Sequence, residues 1–161
     1  MPQGVPPLWQ MSSARSVALD GLLPLPRGVI PADLPPLVWP TKDPGDVLDY
    51  TLDLSQALAG DSTEQVATVG VVVTPSGNPG DLMVGQLVGN GARAVIWLSA
   101  GVAGTVYSVQ VTVGTLKGRV IGRTVLLPVQ QLAAPLSPPN PLTTNTGSIL
   151  TDQNGNPILV G

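Results

Sequence analysis

The chain of 161 residues contains no cysteine, no histidine and no phenylalanine. Without cysteine no disulfide contributes to the fold, and Cys/His zinc sites cannot be built. Without histidine the commonest general base near neutral pH is missing, and with it every His-based triad. Charge is scarce too, at 11% of residues, where a soluble domain usually carries about 25%. There are two lysines, Lys42 and Lys117, and one glutamate, Glu64. Net charge is −3. Arg93, Arg119 and Arg123 are scattered rather than gathered, so the basic stripe with interleaved aromatics expected of a nucleic-acid binder is absent. Long apolar runs are missing as well. The most apolar early stretch, Ser16–Ile30, is broken by Asp20, Pro24, Pro26 and Arg27, and it reads neither as a secretory signal nor as a membrane span.

Carboxylates are what remains for chemistry. Asp49 and Asp53 stand four apart on an alternating segment. They read as a solvent-facing row, because an acid–base pair needs a cleft and a raised pKa. Asp43, Asp46, Asp49 and Asp53 could suggest calcium, but an oxygen cage packs its ligands around a glycine turn, and the last two fall in a strand-like stretch. A solvated acidic face is the expectation, with no catalytic residue, no metal ligand and no cofactor. So few charges would leave a monomer with much neutral, half-apolar surface, which points to burial against other subunits in a homo-oligomer.

Proline, by contrast, is abundant and unevenly placed. Ten of the 18 prolines fall between Pro2 and Pro44 and six between Pro128 and Pro157. Only Pro75 and Pro79 lie in the 83 residues from Gly45 to Leu127. Proline has no N–H and a fixed φ, so it is kept out of central strands. The middle can therefore form a sheet, while the ends are expected to be extended. Residues 1–40 read as a proline-rich arm that is nonetheless apolar, with Leu8, Trp9, Leu22, Leu23 and Leu25 in its first part and Val29, Ile30, Leu34, Leu37, Val38 and Trp39 in its second. An apolar arm is costly to leave in water. Its last ten residues are expected to pack on their own domain, and Met1–Leu25 on a partner.

Residues 41–130 alternate apolar and polar between turn signals about ten residues apart. Strands are expected over Val47–Leu54, Glu64–Thr74, Leu82–Val88, Ala92–Ser99, Thr105–Val113 and Arg119–Val129. Inward faces are assigned to Leu48, Tyr50, Leu52 and Leu54, to Val69, Val71 and Val73, and to Tyr107, Val109, Val111 and Val113. Gly89-Asn90-Gly91 reads as a turn. Short strands with one apolar face each imply an all-β, Ig-like, two-sheet antiparallel β-sandwich. Tyr107 sits where such sandwiches place a corner tyrosine whose hydroxyl bonds back to the turn, or it is an ordinary buried tyrosine.

Residues 131–147 form a proline-rich linker. Residues 148–161 read as a β-hairpin around Asn154-Gly155, the strongest short hairpin signal. A lone hairpin is marginal in water, so Ile149, Leu150, Ile158, Leu159 and Val160 are expected to be buried on another chain, by strand addition to an exposed edge.

Three separated motifs carry a family resemblance. Asp43-Pro-Gly-Asp-Val-Leu-Asp-Tyr-Thr-Leu-Asp-Leu-Ser-Gln-Ala-Leu-Ala-Gly-Asp61 resembles the opening of the phage fibre–tail adaptor proteins. Val95-Ile-Trp-Leu-Ser-Ala-Gly-Val-Ala-Gly-Thr-Val-Tyr107 resembles a later segment of theirs, except that Ala100 stands where glycine is usual. Gly118-Arg119 with Arg123 resembles their ending. The resemblance covers about Trp39–Val129 and implies an Ig-like structural protein of the virion, without catalytic residues, that joins tail fibres to the tail, with other tail or neck proteins and the fibre as partners and a ring of copies around the tail. The end of the chain is also similar to short tails of phage neck and tail proteins. A capsid decoration or head-to-tail neck protein fits the same residues. So does a carbohydrate-binding sandwich, if Trp97 and Tyr107 are exposed as a stacking platform.

Overall fold

Six strands arise where the sequence alternates: β3 (Leu48–Asp53), β4 (Val66–Thr74), β5 (Met83–Asn90), β6 (Arg93–Ser99), β7 (Val106–Thr115) and β8 (Val120–Pro128). The computed structural model describes residues 10–19, 27–28, 35–133 and 142–158. Two shorter strands precede the six, β1 (Ser16–Ala18) and β2 (Leu37–Val38), with a 3-10 turn at Ser13–Arg15 before β1. Among the described residues the strands form two four-stranded sheets, ordered β1-β3-β6-β5 and β2-β8-β7-β4. The β3-β6-β5 and β8-β7-β4 halves have the B-E-D and G-F-C order of an immunoglobulin-type sandwich. All pairings among the six long strands are antiparallel. β1 on β3 and β2 on β8 are parallel. The sheets are thus mixed rather than purely antiparallel, because the N-terminal segment adds a short edge strand to each of them.

The core lies between the sheets. Tyr50, Leu52, Ala94, Ile96 and Leu98 face Tyr107, Val109, Val111, Val113, Val125 and Leu127, all fully buried. Each such aliphatic side chain contributes roughly 1.5–3 kcal/mol by leaving water. Val69 and Val71 are packed against the same core, with Val73 inside it. The turn expected at Gly89-Asn90-Gly91 lies slightly later. β5 runs on to Asn90, and Gly91, at φ +58°, starts the connection to β6. Gly89 is needed for packing instead: a Cβ there would stand 2.9 Å from the Val66 side chain and carbonyl, where β4 and β5 close one side of the sandwich.

Trp39 closes the other side. Its backbone N–H donates to the Leu126 carbonyl in one sheet (2.9 Å), and its indole N–H donates to the Thr51 carbonyl in the other (3.1 Å). Its ring also meets Tyr50, with centroids 5.2 Å apart. Two expectations fail nearby. Asp49, read as part of a solvated row, is buried with Thr51 on the outer face of β3. The cover comes from the arm: Arg15 Nη2 lies 2.5 Å from the Asp49 carboxylate, and Arg15 Nε donates to the Asp49 carbonyl at 2.7 Å. Leu19, just past β1, is buried in the core. At least residues 12–19 of the stretch expected on a partner therefore pack on their own domain.

Candidate attachment surface

Among the described residues the acidic side chains are consumed by structure. Asp43, expected in solvent, is buried and works as a clasp. Its carboxylate accepts N–H bonds from Ala133, Gly45 and Leu132 at 2.7–2.8 Å, and these bonds hold its pKa below the usual carboxylate range. The clasp fixes the point where the chain leaves the sandwich. Beside it, Lys42 is fully buried and its ammonium donates to the carbonyls of Asp43 (2.7 Å) and Ala100 (2.8 Å). Burial pulls the Lys42 pKa down, against the opposing pull of Asp46 and Asp43. Burial also pushes the Asp49 carboxyl up, but its bonds from Arg15 and the Ser12 N–H outweigh this and leave it lowered. Asp53 pairs with Arg93. Asp61 accepts from Lys117 and Thr63, which bring its pKa to about 2. Glu64 pairs with Arg119 and accepts the Lys117 N–H. No group of three metal-ligating side chains exists among the described residues.

Tyr107 is the corner tyrosine. Its hydroxyl accepts the Val102 N–H at 2.9 Å and donates to Asp81 at 3.0 Å, locking the β6–β7 connection. The ring is fully buried, so the exposed Trp97–Tyr107 platform required for carbohydrate stacking does not exist.

Residues 142–158 differ in kind. None of them is buried. Asn154-Gly155 does make a turn, and Thr151 bridges Pro157 across it. The two-stranded hairpin is incomplete as a description, however, because the chain makes an earlier, equivalent pass. Leu142-Thr-Thr-Asn-Thr-Gly-Ser-Ile149 and Leu150-Thr-Asp-Gln-Asn-Gly-Asn-Pro157 are octads with leucine, threonine and glycine in register, followed by Ile158. Gly147 and Gly155 share a φ of +85°. Each donates its N–H three residues back, to the carbonyls of Thr144 (2.9 Å) and Asp152 (3.0 Å). The Thr144 hydroxyl and Asp152 carboxylate each accept the N–H four residues on, from Ser148 (3.1 Å) and Asn156 (2.9 Å). The passes then close on one another. The N–H of Leu142 donates to the Ile158 carbonyl (2.8 Å), that of Leu150 to Leu142 (2.7 Å), and that of Ile158 to Leu150 (2.9 Å). This three-membered ring places Leu142, Leu150 and Ile158 in equivalent positions, exposed at 39, 40 and 41%.

Of the expected partner-binding residues, Ile149, Leu150 and Ile158 are thus brought together on an exposed module. Leu8, Trp9, Leu22, Leu23, Leu25, Leu159 and Val160 lie outside the described residues. Reading for turns missed Leu142 as their equivalent. The period of eight residues is the signal that finds it, since internal repetition marks units that pack on one another.

The sandwich coincides with what is known of other proteins. The family model described as podophage GP4 fiber-tail adaptor protein gp77 matches residues 42–128. That span starts at Lys42, beside the Asp43 clasp, and ends at the last residue of β8. A search of curated proteins gave no match. With three family motifs in order, an Ig-type sandwich and more than half its length matched, the chain belongs to the podophage fibre–tail adaptor family, structural proteins that join fibres to the tail.

Proposed function

We propose that this adaptor works by docking alone, with the sandwich as a rigid spacer and residues 142–158 as the part that grips a neighbouring tail or fibre protein. The observation that carries this reading is the contrast in burial. The terminal module is held by its own backbone bonds, yet leaves Leu142, Ile149, Leu150 and Ile158 exposed. A segment that hides nothing of its own gains most by burying those side chains on something else. The Asp43 clasp supports it, because it gives the attachment segment a fixed starting point at Leu132 and Ala133. The apolar residues outside the described parts, Leu8 and Trp9 among them, act as further anchors. Low charge, together with exposed Val72, Met83, Val84 and Val120 on the sandwich, fits copies packed side by side in a ring around the tail. No chemistry is required of any residue.

Ending the chain after Leu136 tests the docking role. The shortened protein is expected to keep the melting temperature of the full chain and to fail to join fibres to particles. Particles that carry their full set of fibres with the shortened protein would rule the role out.

A further inference from the structure

The terminal module suggests the symmetry of what it grips, and this rests on the attachment reading above. Strand addition needs a free row of backbone donors and acceptors. Here the N–H and C=O groups of Leu142, Leu150 and Ile158 are spent on one another in the ring, and those of Thr144 and Asp152 on their own turns. An open edge is not what the module offers. It offers three residues, Leu142, Leu150 and Ile158, linked in a closed cycle of backbone bonds, the first two each opening a glycine turn, and each with one half-exposed aliphatic side chain. The charge pattern narrows the partner further. Asp152 is the only ionisable side chain from 142 to 158, and its carboxylate is occupied by the N–H groups of Asn154 and Asn156 and the Asn156 amide. The module is otherwise neutral, so its complement is an uncharged apolar socket.

We infer that residues 142–158 form a pseudo-threefold plug that seats on the threefold axis of a homotrimeric partner, with Leu142, Leu150 and Ile158 entering the same apolar socket on each of its three subunits. Only a partner with true threefold symmetry presents three copies of one site at the spacing of three equivalent corners. Engaging all three at once gives multivalent gain within a single small module, because the second and third contacts form intramolecularly. An asymmetric partner would need three different sockets for three side chains held in the same way. Leu142 follows Ala133 by nine residues, so the socket lies within about 30 Å of the Asp43 clasp, the reach of nine extended residues.

The test is site-specific photo-cross-linking in assembled particles made with the full chain. Benzoylphenylalanine is placed singly at Leu142, Leu150 and Ile158, and, to spare the anchors, singly at the equivalent exposed positions Asn145 and Gln153. Cross-linked peptides are identified by mass spectrometry. The expected result is that each equivalent set reports one and the same partner residue, in a protein present at three subunits per plug. Different partner residues for equivalent positions, or a partner that is not a trimer, would overturn the threefold seat while leaving the docking role intact. Cross-links confined to the chain's own sandwich would overturn both.

Discussion

The sandwich and the terminal module are ordered by opposite means. The sandwich is held by burial: its inward side chains are fully hidden, and even Lys42, Asp43 and Glu64 are inside. The module hides nothing, and its shape comes from a ring of three backbone hydrogen bonds and two glycine turns. Burial supplies most folding free energy, whereas a single hydrogen bond nets only about 1 kcal/mol because water competes for it. The sandwich can therefore stand alone as a spacer, and on the proposed reading the module completes its burial on a partner. In an adaptor that division would let the stable part set position and the marginal part respond to a partner.

Substitutions can break this contrast or sharpen it. The largest effect is expected from Leu52→Ala in the core, a loss of about 2–5 kcal/mol in chemical denaturation. Leu150→Ala in the module should change the same unfolding curve by less than about 0.5 kcal/mol, as for an ordinary surface site. Equal losses would mean that the module is part of the sandwich. Tyr107→Phe should cost about 1–3 kcal/mol, because the Val102 N–H and Asp81 lose their buried partner; calorimetry reads this directly. Gly155→Ala forces an L side chain to φ +85°, a strain of about 1–2 kcal/mol. It should weaken joining to particles while the melting temperature of the sandwich stays put. Ala100→Gly should act the other way. Ala100 holds φ +57°, where the family usually has glycine. Relief of that strain, less the added flexibility of the unfolded chain, should stabilise by about 0.5–1 kcal/mol.

The smallest effect is expected from acid. The folded pKa of Asp61, about 2, lies below its ordinary 3.8. The unfolded chain therefore takes up the proton first as pH falls. The stability this group contributes is present above about pH 3.8 and lost on the way down to about 2. Asp43 and Asp49 are lowered for their own reasons and add in the same direction. Asp61→Asn should flatten that part of a stability–pH profile measured by denaturant titration; an unchanged slope would show that the pairing with Lys117 carries no weight.

Much of the sandwich was legible because a period of two is a local property. Tyr107, Val109, Val111 and Val113 alternate with polar residues, and that alone assigns their face. What covers the other face is not local. Asp49 reads as solvated because nothing around it in the sequence reveals that Arg15, 34 residues away, lies on top of it. The parallel edge pairings of β1 and β2 are hidden for the same reason: strands of three and two residues carry too short a pattern. The corner role of Tyr107 was half legible, since its position is a sequence fact but its bonds to Val102 and Asp81 are tertiary. At the chain end the Asn154-Gly155 signal was strong enough to mask a longer pattern. A turn signal looks at two residues, while the octad relation of Leu142, Leu150 and Ile158 spans seventeen.

On the proposed reading the sandwich positions and the terminal module attaches. The most direct measurement is an electron cryomicroscopy map of the assembled particle in which both can be traced. Residues 142–158 are expected to be seated on a different protein, with Leu142, Leu150 and Ile158 buried there. A map showing the module folded back against its own sandwich, with those three side chains still in solvent or covered by β4 or β5, would contradict it.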